Sequence, residues 1–419
     1  MTDVKNPSVE EKSLHRWHDK FPETGTGPID ASTCSSPEYF ELERKHIFEK
    51  VWWKVGRVEE IPKPGDFKVK KIYWANTSII LVRGKDDQIR AFYNVCEHRG
   101  NTVISEIPGQ HEFYGRARGH AMTCRFHGWV YSTKGELLHI PAKEKFFDSF
   151  EEVAKEEGHG LVPLPCETWE GFIFINFMEK PLWDLETFLG GYGKFLSGYA
   201  YGAATRQFKY YTMLDANWKV CLDAFQEGYH VDTIHAGSFP CDWCGIENIQ
   251  LFGPHRTSSI TFNMDSISLG PVQAMSFQKS NSSIVDASRG RTMLPKQFNP
   301  DDDPAWAFEL GTIFPCFMPH PAEGFYFTHQ FWPVAHNKCL WEGTQYMVTP
   351  EKNSERWSME YSQVLQRNAW LEDTQTMEDT HRAIESGRRK YLHLQDDEIL
   401  IRHGYKVVQD WIDGKIELG

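Results

Sequence analysis

No apolar run in this 419-residue chain approaches the length needed to cross a bilayer. Met1–Lys20 is charged and polar, without the apolar centre of a secretion signal. A membrane protein is therefore not expected. Positive charge is in deficit as well. With 45 Lys and Arg against 58 Asp and Glu, the formal charge of −13 argues against nucleic acid or an anionic membrane as partner. The nine cysteines are odd in number and scattered without a disulfide framework, which fits a reducing cytoplasm. A dinucleotide fingerprint is missing too. Gly190–Gly193 reads G-G-Y-G, but no strand–turn–helix pattern surrounds it, and nothing else offers a flavin or nicotinamide site.

What the chain does have is core material. Aromatics make up 14% and hydrophobics 40%, and the length exceeds one comfortable core, so two domains are expected. Pro37–Val51 carries Phe40, Leu42, Ile47, Phe48 and Val51 at helical spacing and reads as a packing helix, with His46 on its surface. From Trp52 the period shortens. Phe67–Ile72, Ser78–Val82 and Ile89–Val95 read as strands, and Met122–Cys124 and Trp129–Ser132 as a second hairpin. Phe172–Phe177 opens a new sheet, and Trp183–Leu196 is helical. The expected class is α+β: an N-terminal segment and helix over 1–51, a small antiparallel β domain over 52–165, and a larger domain over 166–419 with an antiparallel sheet flanked by helices.

Two strand-ending loops hold the chemistry. Cys96–Gly100 reads C-E-H-R-G and Cys124–Trp129 reads C-R-F-H-G-W. Zinc fingers pair Cys with Cys and His with His, whereas here each loop mixes the two. Mixed pairs suit a [2Fe–2S] cluster in which Cys96 and Cys124 hold one iron and His98 and His127 the other. A single zinc ion is the alternative.

Asn217–His235 (NWKVCLDAFQEGYHVDTIH) is the second stretch. If Trp218–Tyr229 is helical, Asp223, Glu227 and His230 share one face. His235 lies about 140° round from His230 and joins it only if the helix loosens near Thr233. Two histidines and a carboxylate form the facial triad of non-heme iron oxygenases; two structural histidines are the plainer reading.

Together these motifs resemble the alpha subunits of Rieske non-heme iron oxygenases. Arg99 and Phe126 stand where respiratory-chain Rieske proteins carry extra cysteines. Residues 99–123 make a longer gap than the family usually has, and the surplus around Pro108–His120 reads as a surface loop with His111 and His120 exposed. The N-W-K…D-x-x-H-x-x-x-x-H likeness implies that His230 and His235 ligate iron. Glu227 replaces the family's usual Asp, which bridges to a cluster histidine of the neighbouring subunit. Asp223 replaces a frequent Asn, either to orient a ligand or as a solvated helix residue. Trp370–Glu378 (WLEDTQTME) resembles the acidic helix that supplies the carboxylate, placing it at Asp373, with Glu372 or Asp379 as alternatives.

The resemblance implies a terminal oxygenase with a Rieske cluster and a mononuclear Fe(II), using O₂ and electrons from an external reductase or ferredoxin. It would hydroxylate an apolar, aromatic small molecule by cis-dihydroxylation or monooxygenation; the alternative is demethylation of a methyl ether or quaternary amine. A head-to-tail homotrimer is implied, with a small β subunit left open, and Arg116 and Arg118 of the inserted loop would extend the subunit contact or dock an acidic electron carrier. Phe225, Phe239, Trp243, Phe308–Phe317 and Phe325–Trp332 line a pocket or fill a core. His320, His329 and His336 are walls rather than ligands, and Cys241-Asp-Trp-Cys244 lacks the second pair a zinc site would need.

Overall fold

The structure, a computed structural model, describes residues 16–236, 244–262, 294–303, 305–322 and 324–418, without the side chains of 154–157, 244–247 and 262. Phe239, Trp243 and the Cys241/Cys244 pair as such lie outside the described residues. The seven described cysteines are all free thiols, as a chain without a disulfide framework requires. No described helix is long and apolar enough to cross a membrane.

The chain enters through α1 (Pro37–Glu43), capped by the Ser36 hydroxyl. Its last residue, Glu43, is fully buried and holds both the Lys219 ammonium and the Trp218 indole N–H, tying this helix to the second domain. Strands β1 (Trp52–Arg57), β2 (Asp66–Ile72), β3 (Thr77–Arg83), β4 (Ile89–Tyr93) and β5 (Glu112–Arg116) follow. β4, β3, β2 and β5 lie side by side in an antiparallel sheet. The small three-stranded sheet β6 (Ala121–Thr123), β7 (Val130–Ser132) and β8 (Leu137–His139) carries the second ligand loop.

Two expectations fail here. The surplus residues 108–120 are not a simple surface loop: Phe113, Tyr114 and Gly115 pair with β2, and His111 is 2% exposed, stacked on Tyr73. Nor do residues 172–177 open a new sheet. β9 (Cys166–Trp169) and β10 (Phe172–Asn176) pair with each other, and β10 reaches back to β1 before helix α2 (Leu185–Leu196) begins. Sequence periodicity shows a strand but not the partner that tertiary packing selects.

The second domain is built on the sheet β11 (Arg206–Leu214), β14 (Phe317–Pro321), β15 (Phe325–Ala335) and β16 (Lys338–Met347), ordered β11-β16-β15-β14, with a second sheet of β12 (Cys244–Phe252) and β13 (His255–Phe262) pairing the strand Trp306–Thr312. Successive strand side chains alternate faces, and the two faces of the first sheet differ. Toward the N-terminal unit point Lys209, Tyr326, Gln330, Trp332 and Glu342; Trp332 stacks on Trp53 at 5.2 Å, and Gln330 donates to the Lys54 carbonyl. Toward the helices point Tyr210, Phe327, His329, Phe331 and Trp341, against Phe225 and Trp370. Between sheet and N-terminal unit lies a buried ionic cluster. Lys70 Nζ stands 2.9 Å from Glu112 and 2.6 Å from Glu342, Lys68 bonds Glu60, and Lys209 joins Glu60 and Glu112.

Candidate metal centres

The Cys96 and Cys124 loops close in the same way. Gly100 N–H donates to Cys96 C=O and Gly128 N–H to Cys124 C=O, both at 2.9 Å, and both glycines have positive φ (71° and 79°), which a Cβ would strain. Cys96 and Cys124 are buried, His98 is half-buried and His127 exposed, so the thiols sit inside and the imidazoles at the rim. The two Nδ1 atoms face each other at 3.1 Å, as ligands on one iron would. His98 stacks flat on Trp129, with centroids 5.1 Å apart. Burial pushes the Cys96 thiol pKa up; at Cys124 burial is outweighed by hydrogen bonding from the backbone at Phe126 and His127 and from Asn101, which lowers it. The Tyr131 hydroxyl lies 3.1 Å from Cys96 Sγ, a partner that sequence reasoning missed although Y follows the C-R-F-H-G-W motif by one residue.

Donor spacing decides between cluster and zinc. Among the described residues, groups of three donor atoms within 4.8 Å of one another are His230–His235–Asp373 and His111–Glu112–Glu342. The Cys/His quartet spreads wider, as two irons require; ligands on one zinc, with bonds of about 2.0–2.3 Å, would crowd together. The His111 group is no metal site, because the Lys70 ammonium already bridges its two carboxylates.

In the second stretch the expected helix stops early. α3 (Trp218–Asp223) ends in a tight turn, with Phe225 N–H bonded to Leu222 C=O and Gln226 N–H to Asp223 C=O. Glu227 lies in the irregular segment beyond, and α4 (Val231–Ile234) carries His230 and His235 at its two ends. One short turn thus joins the two rings, whose centroids are 5.1 Å apart, without a loosened long helix. α5 (Asn353–Glu385) brings Asp373, 2% exposed, to the same point. His235 Nε2 lies 3.3 Å and His230 Nε2 3.6 Å from Asp373 Oδ1, an oxygen with no hydrogen-bond partner. Each Nδ1 is held from behind by a carboxylate: His230 by Glu227, His235 by Glu372 at 2.8 Å. Both Nε2 lone pairs therefore face Asp373, as oriented metal-ligating histidines do. This donor set fits a mononuclear iron. Sequence reasoning saw Glu372 as a possible ligand; its adjacency to Asp373 was the only signal for its observed contact. Asp379 is half-exposed and paired with Arg382.

Asp223 does not join Glu227 and His230 on one face. Its carboxylate accepts from Tyr405 Oη at 2.8 Å, and burial pushes its pKa up to about 7 against weaker lowering by Tyr405 and Arg256. The folded state thus holds this proton beyond the unfolded pKa of 3.8. The cost of ionising Asp223 is absent below pH 3.8, grows between the two values, and is full above pH 7. Asp223→Asn should match wild type in melting temperature at pH 4 and exceed it at pH 8. Equal melting temperatures at both pH values would refute the assignment.

Residues 201–414 match the catalytic domain of the ring hydroxylating alpha subunit, and residues 51–157 match the Rieske [2Fe-2S] domain. The chain belongs to the ring hydroxylating alpha subunit family. It is 34% identical over 206 residues to the carnitine monooxygenase oxygenase subunit of Acinetobacter baumannii, covering 48% of this chain and 51% of that one. The chain thus spans about half the length of the curated relatives it matches. Similar folds include a quaternary ammonium Rieske monooxygenase, CntA (TM-score 0.68, 23% identity, 91% of this chain and 94% of that one). Naphthalene 1,2-dioxygenase from Rhodococcus sp. is another (TM-score 0.69, 20% identity, 97% and 99%). The α+β class with a Rieske domain beside a catalytic domain is thereby shown, and the family's cofactors are a Rieske [2Fe–2S] cluster and a mononuclear iron.

Proposed function

We propose that this chain is a terminal oxygenase that hydroxylates an apolar, aromatic small molecule with O₂ and electrons from an external reductase or ferredoxin. The observation that carries this reading is the convergence of His230, His235 and Asp373 in a chain that also bears the Cys96–His98 and Cys124–His127 loops. Those four residues would hold the cluster, and His230, His235 and Asp373 the mononuclear iron; when bound, the two groups supply stepwise electron delivery and O₂ activation. Glu227 and Glu372 fix the ring orientations of the two histidines, and the aromatic sheet face beside them keeps water from the reacting bond. The domain reading remains 1–51, 52–165 and 166–419.

The carnitine monooxygenase relative favours a second reading, demethylation or monooxygenation of a methyl ether or quaternary amine. Product mass after ¹⁸O₂ turnover separates the two. One or two labelled oxygens on an arene mean the first reading; loss of a methyl group from an ether or amine, or one labelled oxygen on a quaternary amine, means the second. No labelled product from arenes, ethers or amines would remove both.

The chain would work as a cyclic homotrimer in which Glu227 meets the cluster histidines of the adjoining subunit, a short route for electrons. The bond from His230 Nδ1 to Glu227 within the chain supports this reading. Glu227→Ala should keep cluster iron and sulfide at wild-type levels yet lower turnover about 100-fold even when the mononuclear site is saturated with excess Fe(II), with Glu227→Asp restoring part of it. Unchanged coupled turnover in the alanine variant would end the bridge idea.

A further inference from the structure

His320 and His329 have a property that the metal sites do not use. Both are completely buried, on neighbouring strands β14 and β15, with ring centroids 5.4 Å apart. Each uses one nitrogen and leaves the other, Nε2 in both cases, without a hydrogen-bond partner among the described residues. The used nitrogens fix the tautomers. His320 Nδ1 lies 3.1 Å from the Glu309 carbonyl, which can only accept, so Nδ1 carries the hydrogen and Nε2 is left as an acceptor. His329 Nδ1 receives the Trp341 indole N–H at 3.0 Å, so Nδ1 is bare and Nε2 carries the hydrogen. Burial holds both rings neutral by lowering their pKa, to about 3 at His320. One ring thus keeps an acceptor and its neighbour a donor without a partner among the described residues.

Their surroundings are aromatic and adjoin the metal site. Phe225 lies 4.4 Å and Trp370 4.5 Å from the His329 ring, and Phe327 lies 4.6 Å from His320. Trp370 sits three residues before Asp373 on α5, one turn along the same face. Glu309 supplies no charge here. Its carboxylate accepts from Ser259, Thr257 and Trp306, while Phe308, on the other face of its strand, is the residue that packs on His320.

We propose that His320 and His329 are the polar recognition pair of the substrate site, binding a neutral hydroxyl on an aromatic substrate. The hydroxyl oxygen accepts from His329 Nε2–H and its hydrogen is donated to His320 Nε2. This rests on the oxygenase reading above and narrows it. A carboxylate would meet the bare lone pair of His320, a quaternary ammonium would meet the His329 N–H, and a plain hydrocarbon would leave both nitrogens unpaired.

The test is binding to the iron-loaded protein, followed by tryptophan fluorescence, with benzyl alcohol, toluene, benzoate and choline as probes. Benzyl alcohol should bind at least about tenfold tighter than each of the others. His320→Phe and His329→Phe should each remove that preference while toluene binding holds or improves. Equal binding of benzyl alcohol and toluene, tighter binding of choline or benzoate, or a preference that survives both substitutions would overturn the proposal. Should the variants not fold, the wild-type order of the four probes decides alone. Iron and sulfide analysis of the same sample keeps the two readings apart. A protein without cluster and mononuclear iron refutes the oxygenase reading, whereas a fully loaded one without hydroxyl preference refutes only this inference.

Discussion

Asp373→Ala should lose one iron of about three per chain, keep both sulfides, and fall to background turnover. The reason is geometric. Asp373 Oδ1 is an oxygen on which both histidine Nε2 atoms converge, at 3.3 and 3.6 Å, and no other described residue bonds it. Two neutral imidazoles without a carboxylate leave the ion undercharged and short of a ligand. The cluster would be held by other residues, in the Cys96 and Cys124 loops, and should keep its spectrum. Glu372→Ala makes the contrast, because Glu372 touches His235 from behind rather than from the metal side. It should weaken iron binding about 10- to 100-fold without abolishing it. Metal and acid-labile sulfide analysis after dialysis reads both. Three irons retained in Asp373→Ala, with loss in Glu372→Ala, would exchange the two roles.

Glu342→Ala should destabilise the protein by about 3–5 kcal/mol, the usual cost of breaking one side of a buried ion pair. Glu342 is 2% exposed and faces Lys70 at 2.6 Å and Lys54 at 3.5 Å, both equally buried. Burial alone would raise its pKa, but Lys70 and Lys54 hold it well below 4.5. Its contribution is therefore present above pH 4.5 and is lost as pH falls through the lower folded value. Burial also lowers Lys54 to about 8, only partly offset by Glu342, so without its carboxylate this ammonium would shed its proton more readily still. Urea unfolding at pH 7 measures the loss. Combining Glu342→Leu with Lys54→Met should recover part of it, because Lys54 has no other carboxylate partner among the described residues and its uncompensated charge goes too, whereas Lys70 keeps Glu112. A single-variant loss below about 1 kcal/mol would mean that Lys54 and Lys70 find other partners.

The candidate metal sites were legible because their residues lie in short contiguous motifs whose chemistry is restrictive. C-x-H and C-x-x-H admit few explanations, and the spacing from His230 to His235 survived the wrong helix assignment, since one turn of α4 does the same work. Asp373 needed the family likeness, because an acidic residue on a long helix looks like any solvated one until the fold buries it. His111 was misread for a related reason. Its segment is rich in Gly and polar residues, and its burial depends on β5 finding β2, a pairing set by neither residue type nor period. The same limit hid Lys54, Lys68, Lys70 and Lys209, which as a sequence look like ordinary surface charge. Tyr131 was missed, and Glu372 was taken for a possible ligand rather than a partner of His235, because a hydrogen bond to a ligand has no spacing rule.

The alternation along β16 has a consequence for how this protein can change. Trp341 looks toward Trp370 on the helix that carries Asp373 and Glu342 toward the lysines, and β15 alternates likewise between His329 and Gln330. Chemistry and assembly are thus written on opposite sides of one partition, in alternate letters. Substitutions at odd positions of β15 can remodel the reactive side while leaving the seam behind it untouched. A single inserted or deleted residue would exchange the two texts, setting an indole among ammonium groups and a carboxylate among aromatic rings. Drift in this sheet is expected to run through replacements within a fixed register, with length changes confined to the turns.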